Sequence, residues 1–378
     1  MLPLPYILRD CTSTRRHLPR VELRTTLSAG FSLVEIMVGM VIGLIGMIVI
    51  LQVFSVFEAQ KRTTTGGDDA QNTAAIALFG MQHDIEQAGY GISDVSLFSC
   101  PLLLQGKSIP LAPVTINPAT TIVPAGDLNT DTLLVFYGNT NGMPQGNVID
   151  SSSGLVYTLK IPGASNFNNL DNVVAAPVAG NPVSAAACTT TLPIQQVSGV
   201  PTATTLTIAS GTAGAGALFD LGPTPQMLAY RINKGNLTVC DYFARNCGDA
   251  TKAGDDTFWL PIAYSVVSLK AQYGRDVAAG TMDGIVDQYD RATPSTNCGW
   301  ARTSAVRLAL VARNSQLEKT DFQTAAPDWA GTTASASGVA ANPIDLQGDG
   351  KWKRYRYKVF QTVIPLRNVV WMGVVPGC

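Results

Sequence analysis

The feature that most constrains the fold is an uncharged apolar stretch near the N-terminus. From Ile36 to Phe57 no residue carries a formal charge, and Ile, Val, Met, Leu and Gly dominate. A helix of this length spans roughly 33 Å, which is enough to cross the core of a bilayer. Arginines precede the stretch, so the positive-inside rule places the N-terminus in the cytoplasm and the bulk of the chain outside. We therefore predict a single-pass membrane anchor that is retained.

One charge lies at the front of this stretch, in Gly30-Phe31-Ser32-Leu33-Val34-Glu35. A carboxylate at the edge of an apolar helix is costly and needs a partner or a function. A cut after Gly30 would supply that partner, because Phe31 would then carry a new amino group four residues from Glu35. The alternatives are an unprocessed anchor and a glutamate that reaches water at the membrane interface.

The same residues resemble the class III signal of type IV pilins and type II secretion pseudopilins. The resemblance implies that residues 1–30 are a leader, which prepilin peptidase removes between Gly30 and Phe31. It also implies N-methylation of Phe31, a role for Glu35 in docking into the filament, and a transmembrane and assembly helix over residues 31–57.

A polar helix is predicted to continue the anchor over residues 58–91, broken near Thr63–Gly67 and resuming at about Asp69. Its second half carries an apolar stripe at helical spacing, with Gln82, Asp84 and Glu86 facing outward. The stripe comprises Ala74, Ala77, Leu78, Met81, Ile85 and Ala88. Gly89 and Gly91 supply the stop. The Ala88-Gly89-Tyr90 turn is similar to the helix end of PilW-like minor pilins.

Residues 92–378 are predicted to form a β-rich head. Period-two alternation marks strands, and Lys234-Gly235 is a turn that could join two of them. The strand candidates include Thr132–Tyr137, Leu155–Ile161, Thr204–Ile208, Met227–Ile232, and the segments 267–273 and 306–312. One apolar face per strand indicates an antiparallel sheet half covered by the helix. We expect an α+β, pilin-like fold: a long N-terminal helix, membrane-spanning in its first half, packed on an antiparallel sheet with long loops.

Cysteine usage indicates an oxidising compartment. Six cysteines follow the predicted leader: Cys100, Cys188, Cys240, Cys247, Cys298 and Cys378. An even set in an exported chain suits disulfides formed in the bacterial periplasm. Only the pair Cys240–Cys247, which flanks a short segment, is predicted specifically. Six buried free thiols are the alternative.

Catalytic motifs are missing from the sequence. The predicted mature chain has one histidine, His83, and neither a nucleophile-elbow motif nor a zinc-binding pattern, so we expect no enzymatic activity. We also expect no resident cofactor apart from one calcium candidate. Asp283 and Asp287, with Gly284 between them, resemble an eroded form of the Asp-rich stretch of PilW-like chains. The alternative is an acidic turn without metal.

A basic and aromatic run lies near the C-terminus, over residues 351–360. Such a run can grip single-stranded nucleic acid, but its alternation indicates an ordinary strand with one solvated face. The formal net charge of −1 offers no global attraction to nucleic acid either. We therefore expect no nucleic-acid partner.

Taken together, the resemblance implies a non-enzymatic minor pilin that primes type IV pilus assembly and enters the fibre or its tip. Its expected partners are prepilin peptidase, the major pilin and other minor pilins, and the inner-membrane assembly platform. The expected location is the bacterial inner membrane with the head in the periplasm, and then the pilus on the cell surface. The alternatives are a J-like minor pseudopilin of type II secretion and a pilus-tip adhesin or DNA-binding minor pilin.

Overall fold

The computed structural model describes residues 30–142, 145–177, 188, 190–278, 280, 282–321, 323–376 and 378, with backbone only at 59, 60, 62–69 and 165. The chain divides into two units, Met1–Ala59 and Gln60–Cys378. Residues 1–29 of the predicted leader lie outside the described residues. The α+β class predicted from the sequence is confirmed, because one long helix accompanies many antiparallel strands.

The first helix, α1, spans Leu33–Gln87 without interruption, so the predicted break near Thr63–Gly67 is wrong. A glycine costs a helix only about 1 kcal/mol relative to alanine, and the helical stretches on both sides offset that cost. Two further helices are α2 (Asn297–Ala301) and α3 (Arg367–Val370). Short 3₁₀ turns cover Val95–Leu97, Ala164–Asn166, Ala250–Lys252 and Trp352–Arg354.

The described residues contain eighteen strands. In chain order they are β1 (Pro101–Leu104), β2 (Lys107–Pro110), β3 (Val114–Ile116), β4 (Leu133–Tyr137), β5 (Asn147–Ser153), β6 (Val156–Leu159), β7 (Asn172–Ala176), β8 (Leu192–Pro193), β9 (Gln195–Ser198), β10 (Thr205–Ile208), β11 (Ala217–Gly222), β12 (Gln226–Asn233), β13 (Asn236–Asp241), β14 (Leu260–Ala263), β15 (Val266–Arg275), β16 (Gln288–Asp290), β17 (Thr303–Arg313) and β18 (Tyr357–Pro365).

Two sheets form the centre of the head. One has the order β14-β13-β12-β4-β3 and the other the order β16-β15-β17-β18. The predicted turn at Lys234-Gly235 joins β12 to β13, and both residues have positive φ, 51° and 72°. Primed hairpin turns need this backbone conformation, which glycine adopts without strain.

A buried polar junction connects these two sheets. The Tyr273 hydroxyl of β15 accepts from the Ile116 N–H at 2.7 Å and donates to the Val114 carbonyl at 3.2 Å, so it occupies the open edge of β3. Burial raises the pKa of Tyr273 to about 12. Asp131, 3% exposed, accepts from the Ala271 N–H at 3.0 Å and from the Asn342 side chain at 2.8 Å.

The four-stranded sheet is covered on both faces. Its first face belongs to the main core, which includes Leu308, Leu310 and Ile364. Its second face packs beneath residues that follow β17, in a separate cluster with Trp329 and Ile344. The prediction that only one face of the sheet is covered, by the helix, is therefore wrong for this sheet.

The buried side chain of Arg307 shows how the second face is closed. It is 9% exposed, and its Nε donates to Gln272 at 3.2 Å. Its guanidinium lies 4.1 Å from the Tyr289 ring centroid. Sequence alternation alone cannot separate such a covered face from a solvated one, because an arginine can satisfy its charge on aromatic rings and amides.

A closed six-stranded barrel is inserted between β4 and β12, in the order β10-β6-β5-β11-β7-β9. The strand pattern of the sequence does not predict this barrel. It has its own buried cluster, which includes Tyr157, Phe167 and Leu206. Inside it the Tyr157 hydroxyl donates to Gln195 at 2.6 Å. Two of its strands, β6 and β10, overlap predicted strand segments, but their pairing joins residues far apart in sequence.

Asp220 on β11 provides a pH-dependent contribution to the stability of this region. It is 4% exposed, accepts from the Gly222 N–H at 2.9 Å and from the Thr140 hydroxyl, and lies near Asp171. Burial raises the pKa of Asp220 above its ordinary value; the two hydrogen bonds oppose the rise, and the charge of Asp171 adds to it.

We predict that Asp220→Asn removes part of the pH dependence of folding. A carboxyl whose folded-state pKa is raised stabilises the fold below its unfolded pKa of about 3.9 and loses that contribution as the pH rises through the folded value. The unfolding free energy of the wild type minus that of the variant should therefore fall as the pH rises from about 4. Urea unfolding of both proteins between pH 4 and pH 8 measures it, and a flat difference contradicts the prediction.

Candidate functional site

The candidate site begins at the junction predicted for processing. Gly30, Phe31 and Ser32 precede the helix in a non-helical conformation, and Phe31 is 78% exposed. The Ser32 carbonyl accepts from the N–H groups of Glu35 at 2.9 Å and Ile36 at 3.2 Å, which starts the helical hydrogen-bond pattern. The Gly30–Phe31 bond therefore lies just outside regular structure, in an accessible position.

Glu35 lies in the first turn of α1 and is exposed. An acidic side chain in the first turn favours the helix, since it complements the positive end of the helix dipole. Within the part of the chain that the structure describes, Glu35 forms no ion pair. An intermolecular cation, or the amino group that a cut before Phe31 would create, remains the predicted partner.

The apolar segment that follows Glu35 is exposed within the part of the chain that the structure describes. Leu33–Glu58 is the one described helix segment that is long and apolar enough to cross a membrane, with a mean hydropathy of 2.7 and none of it buried. Its Phe, Ile, Leu, Met and Val side chains are about half to three-quarters exposed. A helix that is apolar on all sides requires lipid or other apolar helices around it.

The second half of α1 belongs to the head. The predicted stripe is confirmed, because Ala74, Ala77, Leu78, Met81, Ile85 and Ala88 are all buried. Small alanine side chains let the helix backbone approach the sheet closely. The helix ends at Gln87, and Gly89 and Gly91 follow with φ of 83° and 84°, as the stop prediction requires.

The prediction that Asp84 faces outward is wrong. Its carboxylate accepts from the Tyr137 hydroxyl of β4 at 2.8 Å and from the Tyr230 hydroxyl of β12 at 2.5 Å. Burial raises the pKa of both tyrosines, and the charge of Asp84 adds to the rise. The two tyrosines, about a hundred residues apart in sequence, could not be recognised as partners before the sheet was known.

The helix end is also held by the residues after β18. The Asn368 amide donates to the Gln87 carbonyl at 2.9 Å and to the Ala88 carbonyl at 3.1 Å, and Arg367 lies 3.4 Å from Glu86. These contacts satisfy terminal carbonyls that a helix leaves unpaired. They bring the two ends of the head's sequence together.

Three disulfides link the six cysteines. Cys240 and Cys247 form the predicted bond, with their sulfurs 2.05 Å apart. The other two bonds, Cys100–Cys188 and Cys298–Cys378, join residues about 80 or more positions apart. The sequence left the latter pairings open, since only the fold brings those cysteines together.

The two calcium candidates, Asp283 and Asp287, lie in one loop with Asp276, and each of the three carboxylates accepts hydrogen bonds from backbone N–H groups. Asp276 accepts from the N–H groups of Asp283 at 2.8 Å and Gly284 at 3.0 Å, and Asp287 accepts from those of Val277 at 2.9 Å and Ala278 at 3.0 Å. Asp283 accepts from the Ile285 N–H at 2.8 Å.

Arg302 completes this loop. It lies 3.2 Å from Asp276, and its Nε donates to the Cys378 carbonyl at 3.0 Å. Among the described residues, no group of three or more His, Cys, Asp or Glu side chains could hold a metal ion. Carboxylate-to-backbone hydrogen bonds organise the described part of this loop, and calcium binding at Asp283 and Asp287 stays a prediction.

The basic run near the C-terminus forms a short 3₁₀ turn followed by β18. Tyr357 and Val359 pack against the second-face cluster of the four-stranded sheet, while Lys358 is exposed. The alternation therefore corresponds to a strand, as predicted, although its first residues are not extended.

Comparison with known proteins gives a match to a protein family over the second half of the head. A family model described as "Type IV Pilus-assembly protein W" matches residues 237–368, which run from β13 to the start of α3. The match supports a type IV pilus-related protein. It covers less than half of the chain, and together with the apolar helix it fits a membrane-anchored pilus protein. Neither the curated proteins nor the solved structures contain a match.

We predict that the Asp84 contacts stabilise the head. Tyr230→Phe and Tyr137→Phe should each lower the free energy of unfolding by about 1–3 kcal/mol, because each leaves a carboxylate oxygen without its donor. Tyr264→Phe is the matched control, since Tyr264 is 65% exposed and should change stability by at most about 0.5 kcal/mol. Denaturant unfolding compares the three, and equal effects at all three positions contradict the assignment.

We also predict that the aspartate loop depends on Asp276 and not on calcium. Asp276→Ala should lower the unfolding free energy by roughly 3–5 kcal/mol, because it breaks a largely buried ion pair with Arg302 and leaves the N–H groups of Asp283 and Gly284 without their acceptor. Adding calcium or a chelator should leave the melting temperature of the wild type unchanged. A rise in melting temperature with calcium that Asp283→Asn abolishes would show that the loop binds the ion.

Proposed function

We propose that this protein is a minor pilin of the PilW type, which is processed by prepilin peptidase and takes part in priming or building a type IV pilus. The observation that carries the proposal is the combination of the family match over residues 237–368 with the exposed apolar helix Leu33–Glu58. If the apolar helix inserts among the helices of other pilins, this would explain both its exposed apolar surface and the family match of the head.

Processing comes first in the proposed sequence of events. Prepilin peptidase cuts the accessible Gly30–Phe31 bond, and Phe31 is N-methylated. The new amino group and Glu35 then neutralise each other, within one chain or between neighbours, so that the end of the helix can enter an apolar bundle. Before assembly the protein lies in the bacterial inner membrane with its head in the periplasm, where the three disulfides form.

The role proposed is structural and not enzymatic. Partners are other minor pilins and the major pilin, which contact the apolar helix laterally, and the inner-membrane assembly platform. Helices in an apolar environment associate through close packing and interhelical polar contacts. The family match favours the pilus over the rival assignment as a J-like pseudopilin of a type II secretion system.

We predict that the protein from cells with prepilin peptidase begins at N-methylated Phe31, while cells lacking the peptidase retain the residues before it. Intact-mass analysis of the membrane-extracted protein measures this directly. Retention of the leader in both kinds of cell would exclude the pilin assignment, and the protein would then be a simple anchored periplasmic domain.

Glu35 is predicted to act after processing. Glu35→Gln should leave the cleaved mass otherwise unchanged but reduce the amount of protein in sheared pili by at least about tenfold, the change that 1.4 kcal/mol produces. Ser32→Ala is the matched control in the same turn and should assemble normally. Loss of secretion with normal pili in the Glu35→Gln strain would favour the pseudopilin instead.

A further inference from the structure

The outer edge of β18 presents a regular row of unpaired backbone groups. The Leu366 N–H donates to the Ser304 carbonyl, and the Asn314 N–H donates to the Arg356 carbonyl, both at 2.9 Å. Between these bonds the pairing of β17 with β18 runs over nine residue pairs without a register shift. Antiparallel pairs alternate between hydrogen-bonded and non-hydrogen-bonded, so the even-numbered residues of β18 bond to β17.

The backbone N–H and carbonyl groups of the odd-numbered residues of β18 therefore lie in the plane of the sheet and point away from β17, toward its open edge. Tyr357, Val359, Gln361 and Val363 each offer an N–H and a carbonyl, and Pro365 offers a carbonyl. A proline fits this position, because its missing N–H would have pointed to solvent. In the described part of the chain, no backbone hydrogen bond reaches these outward groups.

Among the described residues, the other open edges of the head are shorter or blocked. In the three-stranded sheet β2-β1-β8, the edge strand β2 has four residues and ends in Pro110, and the edge strand β8 has two residues. The Tyr273 hydroxyl occupies the edge of β3, β14 contains Pro261 and a register shift, and β16 has three residues. The barrel is closed. Proteins usually protect edges by such devices. On β18 the stretch from Val359 to Ile364 has no charge, bulge or proline, and Val363 is 50% exposed.

We propose that the edge of β18 binds an extended acidic strand of another protein, which adds antiparallel as a fifth strand of this sheet. Charge selects the partner. Residues 351–358 contain five basic side chains, and the Glu318 carboxylate beside them already pairs with Arg356 at 2.8 Å. Lys358 is exposed and forms no ion pair with the described residues. Opposite charges on facing strands stabilise a sheet, and like charges destabilise it.

Two other occupants fit the edge of β18 less well. A second copy paired antiparallel about Gln361 would set residues 365–367, which include Arg367 and no carboxylate, beside the basic end of β18. Nucleic acid would use the charges but would leave the outward amides unpaired. The inference goes beyond the proposed function, since it places a contact on the head rather than on the apolar helix.

A synthetic strand tests the proposal on the full chain in detergent micelles. The peptide Thr-Val-Thr-Val-Thr-Val-Thr-Glu-Thr-Glu, aligned antiparallel from Pro365, places its glutamates opposite Lys358 and Arg356. We expect it to bind and to slow hydrogen exchange at the amides of Val359, Gln361 and Val363 at least about fivefold, while those of Phe360 and Thr362 are protected already. The same peptide with lysines in place of both glutamates should bind at least about tenfold more weakly.

Two variants at one position separate the backbone contact from the side chain. Val363→Pro removes one outward N–H and spares the bonds to β17, so it should weaken binding at least about tenfold. Val363→Thr keeps the N–H and should bind within about twofold of the wild type. Thermal unfolding verifies that both variants are folded.

Several results would overturn the proposal. They are equal binding of the acidic and basic peptides, equal binding by Val363→Pro and Val363→Thr, and no protection of the outward amides. Concentration-dependent protection without any peptide would identify a second copy as the occupant. Protection by an oligothymidylate, but not by the acidic peptide, would identify nucleic acid. None of these results changes the mass of the processed chain, so the test is independent of the pilin assignment.

Discussion

Close packing of a small-residue helix stripe against the sheets is the constraint on which the rest of the head depends. The residues Ala74, Ala77 and Ala88 are buried in the same cluster as strand residues such as Val135 and Leu308. Asp84 lies on this helix and meets Tyr137 and Tyr230 from two neighbouring strands. Because an ionised carboxylate near a core must be hydrogen-bonded, these contacts fix both the rotation of the helix and its position along the strands.

The head closes upon this helix from both ends of its sequence. Asn368, just beyond β18, caps the carbonyls of Gln87 and Ala88. The Cys298–Cys378 disulfide and Arg302 hold the last described residue against α2 and the aspartate loop. Acidic residues of that loop accept backbone N–H groups, and these hydrogen bonds help to organise the loop.

Two surfaces of different kinds are available for interactions: the exposed apolar helix and the open edge of β18. The side chains of the apolar segment Leu33–Glu58 are not buried by the described residues, and lipid or neighbouring helices supply an apolar environment without strong directionality. At the edge of β18 the outward backbone donors and acceptors form no backbone hydrogen bond with the described residues, and another extended backbone can pair with all of them. The first surface suits insertion among many similar helices, whereas the second suits a selective contact.

Features that depend on local pattern could be predicted from the amino-acid sequence. The apolar stretch, the helical stripe, the stop at Gly89 and Gly91 and several strands follow from periodicity and from backbone preferences that act within a few residues. Among the disulfides, the short-range pair Cys240–Cys247 was the one that the sequence alone suggested.

Features that depend on contacts between residues distant in sequence could not be predicted before the fold was known. These features all involve contacts between residues tens to hundreds of positions apart. They are the closed barrel, the disulfides Cys100–Cys188 and Cys298–Cys378, the buried contacts of Arg307, and the hydrogen bonds from two tyrosines to Asp84. A local pattern shows that a face is apolar or that a side chain is charged, but not what covers it. The open edge of β18 could not be predicted either, because the sequence of a strand does not show whether it pairs on one side or on both.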